Sequence, residues 1–217
     1  VALPLLVAGI GWYRKSVKGK VFLTGLTGYF LVQYFMYLGM GTYNELFLLW
    51  VVLLGLTFNL IIKLLLELRD GTPMVPARTR YVSVFLMVNG VLMAALWLQV
   101  VLVPLTQGTL YPAGLAHFTT MVVQGYDLAL FLPPSILAGW AYGQGRKAGL
   151  VLAPVYAVFL SLQMGNLLAK IIGMSMQGTS AGPALVLIPC LLAGALVAAV
   201  SSLQNFRQSG IDPDSGN

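Results

Sequence analysis

One carboxylate, that of Asp127, lies well inside a long apolar stretch of this sequence. Along a helix it would lie about 14 Å from Phe118, where that stretch begins. A lone carboxylate at such a depth costs at least about 2.5 kcal/mol, so it must be protonated, paired or hydrated. Two interpretations stay open. Asp127 binds a proton, a cation or a ligand, or it holds helices together through hydrogen bonds or one ion pair.

Amide side chains recur at helical spacing near the same depth. Gln163, Asn166 and Lys170 follow at i, i+3 and i+7, which places them on one helical face. Lys170 either extends outward to water or turns inward to pair with Asp127. We therefore predict a polar binding site in the outer half of the membrane, and the alternative is hydrogen bonding between helices. Its members are Gln33, Gln124, Asp127, Gln163, Asn166 and Lys170.

Two adjacent prolines follow the buried acid. Pro133 and Pro134 carry no N–H and clash with the preceding turn, which predicts a kink. The carbonyls of Ala129 and Leu130 then lose their usual donors. The kink is a candidate gate for a site at Asp127, although prolines are common in membrane helices without any such role.

A second polar stripe lies nearer the other membrane surface. Asn59, Lys63 and Glu67 repeat at i+4, which predicts a Lys63–Glu67 pair at its end. We interpret this stripe, and the isolated Asn89, as packing and anchoring groups. Gly25 is one of several glycines that allow close backbone approach.

Catalytic and metal-binding patterns are absent from the sequence. His117, in a loop, is the single histidine, and Cys190 is the single cysteine. His117 could ligate a porphyrin-type pigment or sense pH, but a lone loop histidine usually does neither. Paired carboxylates, a Ser/His dyad and a phosphate-binding glycine loop are also missing. We expect no metal, no cofactor and no enzymatic activity.

The elements that must position these residues are membrane-spanning helices. Hydrophobic residues make up 59% of the 217, and charged residues only 8%, whereas a globular chain is about 25% charged. Continuous apolar runs in lipid must be helical. We predict an all-α polytopic bundle in a single domain, 1–208, with a disordered cytoplasmic tail, 209–217. The seven runs are 1–13, which begins at Val1 and is too short to span alone, then 21–41, 46–66, 81–105, 118–142, 150–174 and 184–206.

The basic residues predict orientation. Of the 12 Lys and Arg residues, all except Lys170 fall in or beside alternate connectors. The positive-inside rule then places the N-terminus outside and the C-terminus in the cytoplasm. The net charge of +6 is explained by this topology and by anionic lipid, so no nucleic-acid partner is expected.

Three stretches resemble those of uncharacterised bacterial multi-span membrane proteins with six to seven helices. They read GYFLVQY at 28–34, YNELFLLW at 43–50 and VVQGYDLALFLPP at 122–134. The resemblance implies a helical bundle in a prokaryotic inner (plasma) membrane and carries no activity.

Three functions follow as hypotheses. The first is binding or transport of a small solute or ion at the site around Asp127, with Pro133 and Pro134 as the gate. The second is a non-catalytic accessory subunit that meets other membrane subunits or copies of itself. The third, and weakest, is an intramembrane enzyme. Membrane lipids are partners in every case.

Overall fold

The computed structural model describes residue 10 and residues 16–71, 80–109, 115, 118–178, 182 and 184–204. Within these ranges the chain is helical and contains no strand. The predicted tail, 209–217, and the predicted first run, 1–13, lie outside the described residues, apart from Ile10. His117 lies outside them as well.

Seven α-helical segments and one π-helical turn make up the described chain. In chain order they are α1 (Val17–Met40), α2 (Phe47–Gly71), α3 (Arg80–Gln107), α4 (Val122–Tyr126), the π turn (Asp127–Phe131), α5 (Leu132–Gly143), α6 (Lys147–Met176) and α7 (Ala184–Gln204).

Five of these helices, α1, α2, α3, α6 and α7, are long and apolar enough to cross a membrane. Their positions match five of the predicted runs within a few residues. Several continue past the apolar run into polar residues, and in α1 a capping group satisfies the start of the helix. There the Ser16 hydroxyl accepts a hydrogen bond from the Gly19 N–H at 3.1 Å.

Helix α6 is the centre of the bundle, and α2 lies at its edge. More than half of the most apolar stretch of α6 is buried, against 6% for α2. Small side chains line the buried faces that meet at the centre, including Ala153 and Ala157 on α6 and Ala195 and Ala198 on α7. Small residues let helices approach closely, which is how helices associate in lipid without a hydrophobic driving force.

One end of the bundle carries most of the charge, and we call it the basic end. There Val21 of α1, Leu68 of α2 and Val151 of α6 pack in one cluster, with Leu203 of α7 against it. Beside this cluster the Lys20 ammonium lies 3.7 Å from the Glu67 carboxylate and links α1 to α2. Around the same end lie Lys18, Lys20, Arg69, Arg80, Arg146 and Lys147.

Gly25 marks the closest approach of α1 to α6. A Cβ at this position would lie 2.7 Å from Cβ of Val158 and 2.9 Å from the carbonyl oxygen of Val155. By contrast, a Cβ at Gly55 on the exposed edge helix α2 would meet nothing within 4 Å.

We expect Gly25→Ala to destabilise the protein by about 1–3 kcal/mol, because α1 and α6 must separate to admit the methyl group. The matched control Gly55→Ala should be neutral or stabilise by up to about 1 kcal/mol, since alanine favours the helix. Thermal unfolding of both variants in one detergent makes the comparison. Equal melting temperatures for the two variants would contradict the close contact.

Candidate functional site

A π turn lies directly before the two consecutive prolines and accommodates them in the helix. The Leu132 N–H bonds to the Asp127 carbonyl, five residues back rather than four. A new α-helix then begins at Leu132, so Pro133 and Pro134 fall in its first turn. There the missing N–H groups would have no partner within the helix in any case. The sequence predicted a kink at the prolines, and the structure places a wider turn just before them.

Asp127 is the first residue of this π turn. Its Oδ2 accepts a hydrogen bond from the indole Nε1–H of Trp97 at 2.7 Å, across the boundary between α3 and the π turn. The distance is short, as expected for a donor to a carboxylate oxygen. The partner that the structure gives to Asp127 is therefore an indole, which was not among the partners predicted from the sequence.

Lys170 does not pair with Asp127. The ion pairs among the described residues join Lys20 and Lys63 to Glu67, and Arg69 to Asp70. Lys170 is exposed near the end of α6. Of the two alternatives for this lysine, the inward pairing is wrong, because the carboxylate faces α3 instead.

Two of the predicted amides do meet. The Gln33 Nε2 donates to the Gln163 Oε1 at 3.2 Å, which joins α1 to α6. Asn166 lies one turn further along α6, where it is half-buried and makes no side-chain hydrogen bond to any described residue. This part of the predicted site is thus a contact between helices.

Aromatic rings occupy the boundary between α1 and the π turn. The Phe35 ring lies 5.5 Å from the Tyr126 ring and 6.2 Å from the Phe131 ring, measured between centroids. Of the six residues predicted from the sequence, Gln33 bonds to Gln163, whereas Asp127 bonds to Trp97, which was not among the six. Periodicity identified which faces are polar but not which neighbour each face meets.

Gln124 lines a cavity of about 170 Å³ at the end of the bundle opposite the basic end. Val100 of α3 contributes to the same cavity. Gln124 precedes Asp127 by one turn on α4, and Val100 follows Trp97 by one turn on α3. The cavity therefore lies directly beyond the Trp97–Asp127 pair, toward the membrane surface. Its other lining residues are Met40, Leu115, Phe118, Thr120, Met121, Val122 and Val123.

Trp97 is the site residue that sequence reasoning missed, although a signal for it exists. An indole N–H can only donate, and in hydrocarbon it needs an acceptor. Trp97 lies within a long apolar run whose own carbonyls are paired in the helix, while Asp127 is the only acid well inside a span. Matching side chains that can only donate, such as the Trp97 indole, with side chains that can only accept, such as an ionised Asp127, would have suggested this contact.

Asn89 on α3 is buried with 2% exposure. Neither its Oδ1 nor its Nδ2 has a hydrogen-bond partner among the described residues. A buried amide without partners costs about 1–3 kcal/mol. The interpretation of Asn89 as an anchoring group thus has no hydrogen bond in its support.

The described chain is an all-helical, multi-pass membrane protein with one acid held at an interrupted helix. Among the described residues, His, Cys, Asp and Glu form no group of three that could hold a metal ion. Searches of protein-family models, of curated proteins and of solved structures gave no match to the chain.

A double-mutant cycle tests the Trp97–Asp127 bond. Trp97→Phe removes the indole N–H together with part of the ring, and Asp127→Asn removes the charge. The cycle cancels the effect of ring size, because that change is present with and without Asp127. We expect a coupling free energy of about 1 kcal/mol between them in unfolding measurements in mixed micelles. Trp140→Phe combined with Asp127→Asn is the control, because Trp140 lies about 20 Å further along the helix. Additive effects in the first cycle would show that the hydrogen bond contributes nothing.

Proposed function

We propose that the chain crosses the membrane seven times and binds a small solute or cation at Asp127 for transport. Five spans are the long helices already described. The sixth is the stretch from residue 122 to residue 143, where α4, the π turn and α5 follow one another without a gap. A hydrocarbon core of ~30 Å needs about 20 helical residues, which this stretch supplies. Residues 1–13 are the proposed first span.

The basic end is proposed to face the cytoplasm of a cell whose inner (plasma) membrane holds the protein. Support comes from the positions of the described basic residues, all of which except Lys63 and Lys170 surround that end. Short loops that carry Lys and Arg are retained on the cytoplasmic side of the membrane. The N-terminus is then outside, and the cavity beyond Asp127 opens toward the exterior.

Cysteine labelling tests this orientation in a Cys190→Ser background. Gln107→Cys lies at the end of α3, and Gln144→Cys lies between α5 and α6. A membrane-impermeant maleimide should label the first variant in intact cells and the second only after permeabilisation. Labelling of both from the same side would refute the proposed arrangement of spans.

The observation that carries the proposed activity is the cavity one turn beyond a partly buried carboxylate. Asp127 uses Oδ2 for Trp97, and Oδ1 has no hydrogen-bond donor among the described residues. A partly buried carboxylate with one unoccupied oxygen favours a cation or an N–H donor beside it. Gln124 supplies a further polar group on the route from the exterior.

The lining of the cavity limits the size and nature of the solute. A volume of about 170 Å³ holds roughly five or six waters at liquid density. Most of the lining is apolar, including Met40, Val100 and Met121. A small organic cation suits such a route, because its carbon atoms contact the apolar wall of the cavity while its charge is attracted to the carboxylate one turn further in.

The π turn is the proposed gate. Pro133 and Pro134 carry no N–H, so the carbonyls of Ala129 and Leu130 lose their usual helical donors and this stretch of helix is held by fewer backbone hydrogen bonds. π-helical turns recur at functional sites for the same reason. A shift between π and α hydrogen bonding would rotate Asp127 about the helix axis, separate it from Trp97 and release the carboxylate toward the cavity.

Uptake of radiolabelled methylammonium into proteoliposomes tests the activity. Wild-type protein should accumulate it above empty vesicles, and Asp127→Asn should lower the rate at least about tenfold, since one charge-assisted contact is worth roughly 1.5–3 kcal/mol. Glu45→Gln is the matched control, because Glu45 is an exposed carboxylate in a connector. If the Asp127→Asn variant takes up methylammonium at the wild-type rate, this carboxylate is not the binding site.

A further inference from the structure

A groove of about 750 Å³ runs between α1 and α2 toward the basic end. This volume is in the range of small-molecule pockets. Lys20 lines it from α1. The lining residues from α2 are Asn59, Ile62, Lys63, Leu66, Glu67 and Asp70. The groove is separate from the cavity beyond Asp127, and a ligand could bind in it whether or not the protein transports a solute.

The groove is lined by equal numbers of positive and negative side chains. Glu67 lies 3.7 Å from the Lys20 ammonium and 4.0 Å from the Lys63 ammonium, which confirms the predicted Lys63–Glu67 pair. The Lys63 side chain is nevertheless 71% exposed, and Asp70 is 65% exposed beside Arg69. Two lysines and two acids line the groove, so it presents both signs of charge to a ligand and no net charge.

Polar groups follow a fixed order from the membrane interior to the surface. Asn59, Lys63 and Glu67 succeed one another at one-turn intervals on one face of α2, and Asp70 follows nearer the end. Each turn advances about 5–6 Å. The ligand that fits carries hydrogen-bond acceptors deepest, an anion next and a cation nearest the surface.

The structure assigns this groove to a zwitterionic phospholipid whose headgroup ends in a primary ammonium, that is, a phosphatidylethanolamine. The phosphate lies against Lys63, and the ammonium donates to Glu67 and Asp70. The Asn59 Nδ2 donates one hydrogen bond to the Gly55 carbonyl at 2.8 Å. Its second hydrogen donates to an ester carbonyl of the lipid. The acyl chains run along the exposed apolar side of α2, beginning at Ile62 and Leu66.

The same charges select against other lipids. A net anionic headgroup would bring its extra negative charge toward Glu67 and Asp70, where like charges repel. A choline headgroup has the right charges but no N–H, so it cannot donate to either carboxylate. The groove should therefore rank ethanolamine above choline and choline above glycerol headgroups.

Lipid titration of the full-length protein in detergent tests the ranking. The melting temperature is followed while dioleoyl lipids with ethanolamine, choline or glycerol headgroups are added. The ethanolamine lipid should give the largest rise, and water-soluble phosphoethanolamine should give none. A larger rise with the glycerol headgroup would overturn the assignment, and so would an equal rise with the soluble compound.

Two variants localise the effect. Lys63→Gln should weaken the apparent affinity for the ethanolamine lipid about fivefold, the loss expected for a partly exposed ion pair. Lys18→Gln is the matched control, because Lys18 lies at the same end of the bundle but does not line the groove. This variant should bind the ethanolamine lipid with unchanged apparent affinity. In the Asp70→Asn variant, the rise in melting temperature with the ethanolamine lipid should exceed the rise with the choline lipid by less than in the wild-type protein. This comparison is made within the variant, so a change in its melting temperature without lipid does not affect it. Identical behaviour of the two lysine variants would show that the lipid binds elsewhere.

Discussion

A helix in hydrocarbon must pair its own backbone groups, because neither water nor lipid tails will do so. Pro133 and Pro134 make this impossible at one point of the bundle. The chain responds by widening one turn and restarting the α-helix at Leu132, so that both prolines occupy positions where no donor is required. Asp127 begins that turn and bonds there to Trp97.

The two ends of the bundle have different physical characters. At the basic end, apolar packing of α1, α2, α6 and α7 is reinforced by the ion pairs of Glu67, so that end is closely held. At the opposite end, the cavity beside Gln124 separates α3 from α4. The cavity thus lies at the same end of the bundle as the acid, and the packed ion-paired cluster lies at the other.

Much of the fold could be predicted from the sequence. Long apolar runs bounded by short polar connectors predicted five helices within a few residues, since hydropathy and backbone pairing together leave few alternatives. The extension of α1 to Val17 depended on a Ser16 cap that hydropathy does not register. The stretch around Asp127 was assigned to one helix, and its division into three pieces arises from hydrogen bonding that the proline pair changes.

The candidate site was only partly predictable. Depth and helical spacing predicted that Gln33, Gln163 and Asp127 face other helices, but neither carries information on which helices are neighbours. Gln33 therefore meets Gln163, while Asp127 meets Trp97. Lys170 was assigned to the site by its charge and by its spacing from Gln163 and Asn166. It is exposed instead, because a flexible cation near a helix end extends readily to water.

The widened turn also fixes a rotational phase. Each residue of an α-helix advances about 100° around the axis, so a π turn adds one residue's rotation between α4 on one side and α5 on the other. Beyond the turn, Gly139 lies against the Ser83 carbonyl, and the Ser83 hydroxyl donates to the Gly139 carbonyl, which holds α5 firmly on α3. Loss of one residue between Asp127 and Phe131 would therefore leave α5 in place and turn the carboxylate about 100° away from the indole. The length of this segment is as much a part of the site as the acid itself.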